Sequence, residues 1–255
     1  MSKLFVSKRT RAAAWVILLV LPALMAAFGY YHSHRPAVNP VGSRTFWDYI
    51  ILNSDILLGL LFLLASAIPF ILVFDKKKPQ ARELVPIAVM AAIAVVGRTV
   101  FEIIPLPNFK PCSAIIIITA VAFGPEAGFL TGALTAFVSN FIFGQGPWTP
   151  WQMLGMGLCG FLAGLVFRRG GLPRKREALC AYGAVSAFLV YGILLNAYSA
   201  LLATGTLTWQ SLAVYCASGF SMDAVQAIST AVFLWFFAEP MLDKLERVKI
   251  KYGFA

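Results

Sequence analysis

Charged residues are scarce in this sequence. Only 13% of its 255 residues are charged, whereas 60% are hydrophobic. This balance is unlike that of a soluble domain, and long apolar runs mark membrane-spanning segments. The composition therefore excludes an ordinary soluble protein.

The motifs of nucleotide-binding proteins and of common hydrolases are also missing. The chain contains no Gly-Lys pair, so it has no Gly-x-x-x-x-Gly-Lys-Ser/Thr loop for ATP. It has no His-Glu-x-x-His helix, no Gly-x-Ser-x-Gly elbow and no paired aspartates. Its four cysteines show no metal-ligand spacing, and its two histidines suit a solvated loop. We therefore expect no enzymatic activity, no cofactor and no metal site.

Apolar segments, by contrast, are abundant. A hydrocarbon core of about 30 Å needs roughly 20 apolar residues per helix. Eight segments qualify as candidate spans, although the fourth is too short to cross alone unless it is kinked or shielded by neighbours. We predict an all-α integral membrane protein with spans at about residues 12–31, 49–74, 84–104, 113–123, 126–144, 151–167, 178–203 and 210–238.

Basic residues occur in four clusters, which share one side of the membrane if the chain crosses eight times. The positive-inside rule places that side, and both termini, in the cytoplasm of a plasma-membrane protein. The net charge of +10 then reports topology, and we expect no nucleic-acid partner, because no basic soluble domain exists to bind one. The clusters are Lys3 to Arg11, Lys76 to Arg82, Arg168 to Arg176 and Lys244 to Lys251.

The second of these clusters divides the chain. Residues 1–75 are interpreted as an accessory transmembrane hairpin, and residues 76–83 as a basic cytoplasmic linker. Residues 84–240 form a six-helix core, and residues 241–255 a basic cytoplasmic tail. Small residues at helical spacing line several core spans, among them Ala88 and Ala92 in the third. Such stripes serve either internal helix packing or the docking of a partner membrane protein.

The turn between the fifth and sixth spans is rigid, aromatic and polar at once. Its glycines allow positive φ and close backbone approach, and its prolines stop helix propagation. Its tryptophans suit the membrane–water boundary, and its amides add uncharged hydrogen-bonding groups. The turn is either an interfacial anchor or a preformed ligand surface on the outer face. The candidate binding residues here are Asn140, Gln145, Trp148, Trp151 and Gln152.

Polar residues inside spans are costly, so each requires an explanation. Arg98 and Glu102 share a helical face and either neutralise each other or form a charged pocket wall. Asp223 lies mid-span and is either protonated or paired with a group from elsewhere, such as Arg98. With the outer loop 105–111, otherwise a stiff connector, these residues predict a capture site for a bulky, polar-atom-rich ligand. The further candidates are Asn108, Phe109, Lys110, Asn196 and Tyr198.

Several of these segments resemble the substrate-binding S components of energy-coupling factor (ECF) vitamin transporters. The similar segments are the loop 105–111 with the short span after it, Gly124 to Phe129, Ser139 to Phe141, and the dense run from Phe143 to Met153. The resemblance covers roughly residues 84–240 and is strongest over 105–164. Residues 1–75 depart from it, because the usual S component has six spans.

The resemblance implies that the chain captures a vitamin or cofactor precursor from outside. A membrane coupling subunit and two ATPase subunits would then supply the energy. Ala88 and Ala92 are similar to the small-residue motif with which S components dock on the coupling subunit. The turn is similar to those associated with corrinoid uptake, which favours cobalamin over riboflavin or a queuosine precursor. The alternatives are an intramembrane enzyme acting on a lipid or isoprenoid, with Arg98, Glu102 and Asp223 as catalytic residues, and a structural scaffold.

Overall fold

The computed structural model describes residues 8–34, 36–74, 81–169, 171–205 and 207–252, all of them in helices or connecting turns. Three π-helical stretches and one 3-10 turn continue the α-helices. The helices are α1 (Lys8–Trp15), α2 (Leu21–Ser33), α3 (Phe46–Leu52), α4 (Ser54–Phe74), α5 (Ala81–Val100), α6 (Cys112–Phe123), α7 (Pro125–Phe143), α8 (Thr149–Ala163), α9 (Arg176–Val185), α10 (Ile193–Thr204) and α11 (Trp209–Tyr252).

Five helical segments of the described chain are long and apolar enough to cross a membrane. α3 and α4 would add a sixth if they form one span with a bend of 62°. Two of the predicted spans correspond to shorter apolar helices, at Ala12–Ala27 and Cys112–Phe123. The prediction of an all-α membrane protein is confirmed, whereas the count of eight crossings stays a prediction. Most of the linker that was predicted to be cytoplasmic lies outside the described residues.

The short core helix α6 is shielded by its neighbours. Its side chains are buried from Cys112 to Ala122, and it packs against α5, α7, α8 and α11. A helix of 12 residues spans about 18 Å, too little for a bilayer. Because protein rather than lipid surrounds its ends, its terminal backbone groups need not face hydrocarbon.

Glycines allow the backbones of α7 and α8 to come into direct contact. A Cβ on Gly132 would lie 2.5 Å from the carbonyl carbon of Met156, and one on Gly160 would lie 2.6 Å from the Gly128 carbonyl oxygen. The small-residue stripes of these two spans therefore serve internal packing. On α5, however, Ala88 and Ala92 lie on the exposed face.

Candidate functional site

The turn between α7 and α8 is built around two glycines with different tasks. Gly144 ends α7 with a φ of +97°, which a residue with a side chain rarely adopts. Gly146 leaves room for the Trp148 ring, because a Cβ there would lie 2.4 Å from it. Trp148 thus folds back over the turn and remains partly exposed.

Thr149 is the hub of a hydrogen-bond network that holds this turn. Its hydroxyl donates to Oε1 of Gln145 at 2.9 Å and accepts from Nδ2 of Asn140 at 2.9 Å. Gln145 in turn donates to the Phe137 carbonyl oxygen at 2.8 Å. Asn140 also donates to Oε1 of Gln152 at 2.9 Å. The side-chain amides of Asn140 and Gln145 are therefore both engaged in hydrogen bonds, so these two residues hold the turn in shape.

Arg98 joins α5 to the same network. Its Nη1 donates to the Ser139 hydroxyl, and to Oδ1 of Asn140 at 3.0 Å. The guanidinium lies 4.9 Å from the centre of the Phe143 ring, and the residue is only 8% exposed. No carboxylate among the described residues pairs with it. Within the described part of the chain, Arg98 is thus a buried cation whose hydrogen bonds go only to neutral groups.

The expected alternative of an Arg98–Glu102 pair is not what the structure shows. Glu102 forms an ion pair with Lys110, whose ammonium group lies 4.7 Å from the centre of the Phe143 ring. The physical reason is local: the α-helix ends at Val100, and a 3-10 turn over Phe101–Ile103 changes the direction of the next side chains. Lys110 and Arg98 therefore both lie within 5 Å of the centre of the Phe143 ring, and of these two cations only Lys110 pairs with a carboxylate in the described chain.

Asp223 pairs with Asn196 and not with Arg98. The Asn196 amide donates to its Oδ2 at 2.7 Å across the α10–α11 contact. A glycine just before α10 and another on α11 make room for this pair. A Cβ on Gly192 would lie 2.7 Å from the Asp223 carboxyl carbon, and one on Gly219 would lie 2.4 Å from the Asn196 amide oxygen. Asp223 thus has a specific neutral partner, which only the tertiary packing reveals.

Aromatic residues pack between α8 and the segment that leads into α10. Tyr191 lies against α8, where a Cβ on Gly155 would lie 2.9 Å from its ring. The Trp151 ring lies tilted against the Tyr198 ring with centroids 5.6 Å apart, which joins α8 to α10. The Trp151 indole N–H is buried and has no hydrogen-bond partner in the described chain. A buried donor of this kind is costly unless a ligand or water completes it.

The loop 105–111 reaches the last helix. Asn108, with a φ of 64° that asparagine tolerates, donates to the Met222 carbonyl oxygen at 3.5 Å. This contact brings Asn108 to the residue that directly precedes Asp223 in α11. Phe109 packs against Phe233 of the same helix, with ring centroids 5.4 Å apart.

The structure thus joins most of the predicted site residues into one region between α5, α7, α8, α10 and α11. Four residues that pack or form hydrogen bonds in this region were not among the candidate site residues. Ser139 and Thr149 carry hydroxyl groups directly next to candidate residues in the sequence, which was a signal for them. Phe143 and Tyr191 are positioned by contacts with distant segments, which the sequence does not show.

Fold and site together define a polytopic helical membrane protein with a polar, aromatic-lined cluster enclosed among its helices. The chain belongs to the family of ECF-type riboflavin transporter S components, whose family model matches residues 78–241. Membership makes it a substrate-binding subunit of a vitamin transporter, and it points away from the enzyme alternative. The match begins after the end of α4.

Curated relatives include UPF0397 proteins of Vibrio and Aliivibrio species. One from Vibrio atlanticus is 32% identical over 124 residues, which cover 44% of this chain and 68% of the relative. Those of Aliivibrio fischeri and Aliivibrio salmonicida are each 34% identical over 89 residues, covering 34% of this chain. The matched region spans about half (48%) of the length of these Aliivibrio relatives. No solved structure matches the chain.

Proposed function

We propose that this chain captures cobalamin or a related corrinoid from outside the cell and delivers it with a separate membrane coupling subunit and two ATPase subunits. The observation that carries the proposal is Arg98, a buried guanidinium without a carboxylate partner in the described chain. Its remaining N–H groups make no hydrogen bond there. A buried charge of this kind is retained where it binds something.

The available donors favour a large ligand with many acceptors. Besides Arg98, the Gln152 amide nitrogen and the Trp151 indole N–H have no hydrogen-bond partner among the described residues. A corrinoid offers amide carbonyl groups around its ring, and cobalamin adds an anionic phosphodiester. Riboflavin, which the family name suggests, is uncharged and leaves the guanidinium without a counter-charge. Charge-assisted hydrogen bonds from Arg98 therefore favour the corrinoid.

Charge and exposure support the proposed direction of capture and the proposed coupling. The basic clusters favour an outward-facing turn if the chain crosses eight times. The exposed Ala88 and Ala92 on α5 offer a smooth surface on which a coupling helix can pack closely. Ligand binding and docking on the coupling subunit would then use different faces of the chain. The lipid bilayer would surround the helices that carry both faces.

A ligand panel tests the proposal directly. We expect the purified full-length chain in detergent or nanodiscs to bind cobalamin with a Kd at or below about 1 μM, and at least about tenfold more tightly than riboflavin. Isothermal titration calorimetry with cobalamin, riboflavin and a queuosine precursor measures this. Tighter binding of riboflavin would overturn the corrinoid assignment, and no binding of any of them would overturn the capture function.

Gln152 tests which side chains of the turn meet the ligand. Its amide oxygen is engaged by Asn140, whereas its amide nitrogen is available. We expect Gln152→Ala to raise the Kd for cobalamin about fivefold, the loss of one hydrogen bond, with little change in thermal stability. Gln210→Ala, at an exposed glutamine at the start of α11, is the matched control and leaves the Kd unchanged. Equal Kd values for the two variants would remove Gln152 from the binding site.

A further inference from the structure

The N-terminal hairpin lies outside the region that the family model matches, yet it is packed into the core. Leu21, Met25 and Phe62 are at most 4% exposed and belong to the same hydrophobic cluster as Phe137 and Met153 of α7 and α8. Helix α4 contacts both α7 and α8. The hairpin is therefore integrated with the substrate-binding core by its packing.

The contact of α4 falls on the residues that flank the binding turn. Gly59 approaches α7 and α8 so closely that a Cβ there would lie 3.2 Å from the Phe137 ring and 3.8 Å from the Thr149 methyl group. One turn further along α4, Phe62 lines an apolar cleft together with Pro150. The end of α7 and the start of α8 thus rest on one face of the hairpin.

These contacted residues are the anchors of the hydrogen-bond network. Gln145 donates to the Phe137 carbonyl oxygen and accepts from the Thr149 hydroxyl. The same hydroxyl accepts from Asn140, which in turn binds Arg98 and Gln152. Two side chains, Thr149 and Asn140, therefore connect the hairpin to the groups proposed to meet the ligand.

We infer that the hairpin is a positioning element for the substrate-binding turn: the face of α4 at Gly59 and Phe62 holds Phe137 and Thr149 so that the network keeps its shape before the ligand arrives. The inference rests on the proposed ligand-binding role of the turn. Lipid chains on this face would be mobile, whereas a packed helix is fixed. A turn that is already ordered loses less conformational entropy on binding, which favours a slow dissociation.

Two variants in the full-length chain test this inference. Phe62→Ala removes the packing, and Gly59→Leu forces α4 away from Phe137. Each is expected to raise the Kd for cobalamin about tenfold, mainly through faster dissociation. Leu64→Ala is the matched control on the same helix, because Leu64 is 61% exposed and its truncation leaves binding unchanged. Phe62→Leu keeps an apolar side chain and restores most of the affinity.

A second measurement needs no ligand. Hydrogen exchange of the Gly146 and Thr149 amides reports the turn, because the first donates to the Thr149 hydroxyl and the second to the Gly146 carbonyl oxygen. We expect Phe62→Ala to speed exchange there and to leave α9 to α11 unchanged. Unchanged exchange at the turn, or an equal increase along the whole chain, would overturn the positioning role. Failure of the unmodified chain to bind cobalamin would instead contradict the proposed function alone.

Discussion

Vitamin uptake by cells carrying Ala92→Trp is expected to fall below about a tenth of the unmodified level, while the purified variant binds cobalamin with an unchanged Kd. Ala88 and Ala92 lie one turn apart on the exposed face of α5, and Arg98 lies on its buried side. A coupling helix that packs on alanine comes within the range of backbone contact, and an indole ring there prevents that approach. Ala88→Trp is expected to act in the same way.

The control for this prediction is Ala181→Trp, at an exposed alanine on α9. It adds the same ring to a membrane helix on a face to which we assign no partner, so uptake should be retained. Uptake of radiolabelled cobalamin in cells, together with copurification of the coupling subunit, provides the measurement. If both substitutions reduce uptake equally, or if neither Ala88→Trp nor Ala92→Trp reduces it, the α5 face is not the docking surface.

The second large effect concerns Arg98. Arg98→Met is expected to raise the Kd for cobalamin about 100-fold, because removing one partner of a buried, hydrogen-bonded charge costs about 3 kcal/mol. The variant also leaves Ser139 and Asn140 without their donor and removes the contact with the Phe143 ring. Titration calorimetry on the purified variant measures the Kd, and size-exclusion chromatography checks that it is folded.

Two further variants make the result specific. Arg98→Lys keeps the charge but loses the planar fork, so we expect an intermediate affinity. Arg174→Met removes an exposed arginine before α9 and should leave the Kd unchanged. A Kd for Arg98→Met within about threefold of the unmodified value would show that the guanidinium only holds the turn.

Much of the architecture was predictable from local sequence. The composition identified a helical membrane protein, and the glycines and prolines of 144–150 located the turn, because these residue types act through the backbone at their own position. The sequence also predicted that the short span must be thinned, kinked or shielded by its neighbours. The burial of α6 from Cys112 to Ala122 shows that protein supplies the shielding.

The pairing of polar groups was not predictable in the same way. Helical spacing suggested Arg98 with Glu102, yet Arg98 binds residues 41 and 42 positions away, and Glu102 binds Lys110. Asp223 finds Asn196, 27 positions away, through space that two glycines leave open. Such partners depend on how helices are rotated against one another, and no single helix carries that information.

By itself, therefore, the sequence determined the class of protein, the position of the turn between α7 and α8 and the candidate residues around it, since these depend on composition and local backbone chemistry. Only the tertiary structure decided that Arg98 is a buried cation without a carboxylate partner in the described chain, and that α4 packs against Phe137 and Thr149 on either side of the turn. Both results arise from side-chain packing between segments distant in the chain, where the shape of neighbouring helices selects one partner among several.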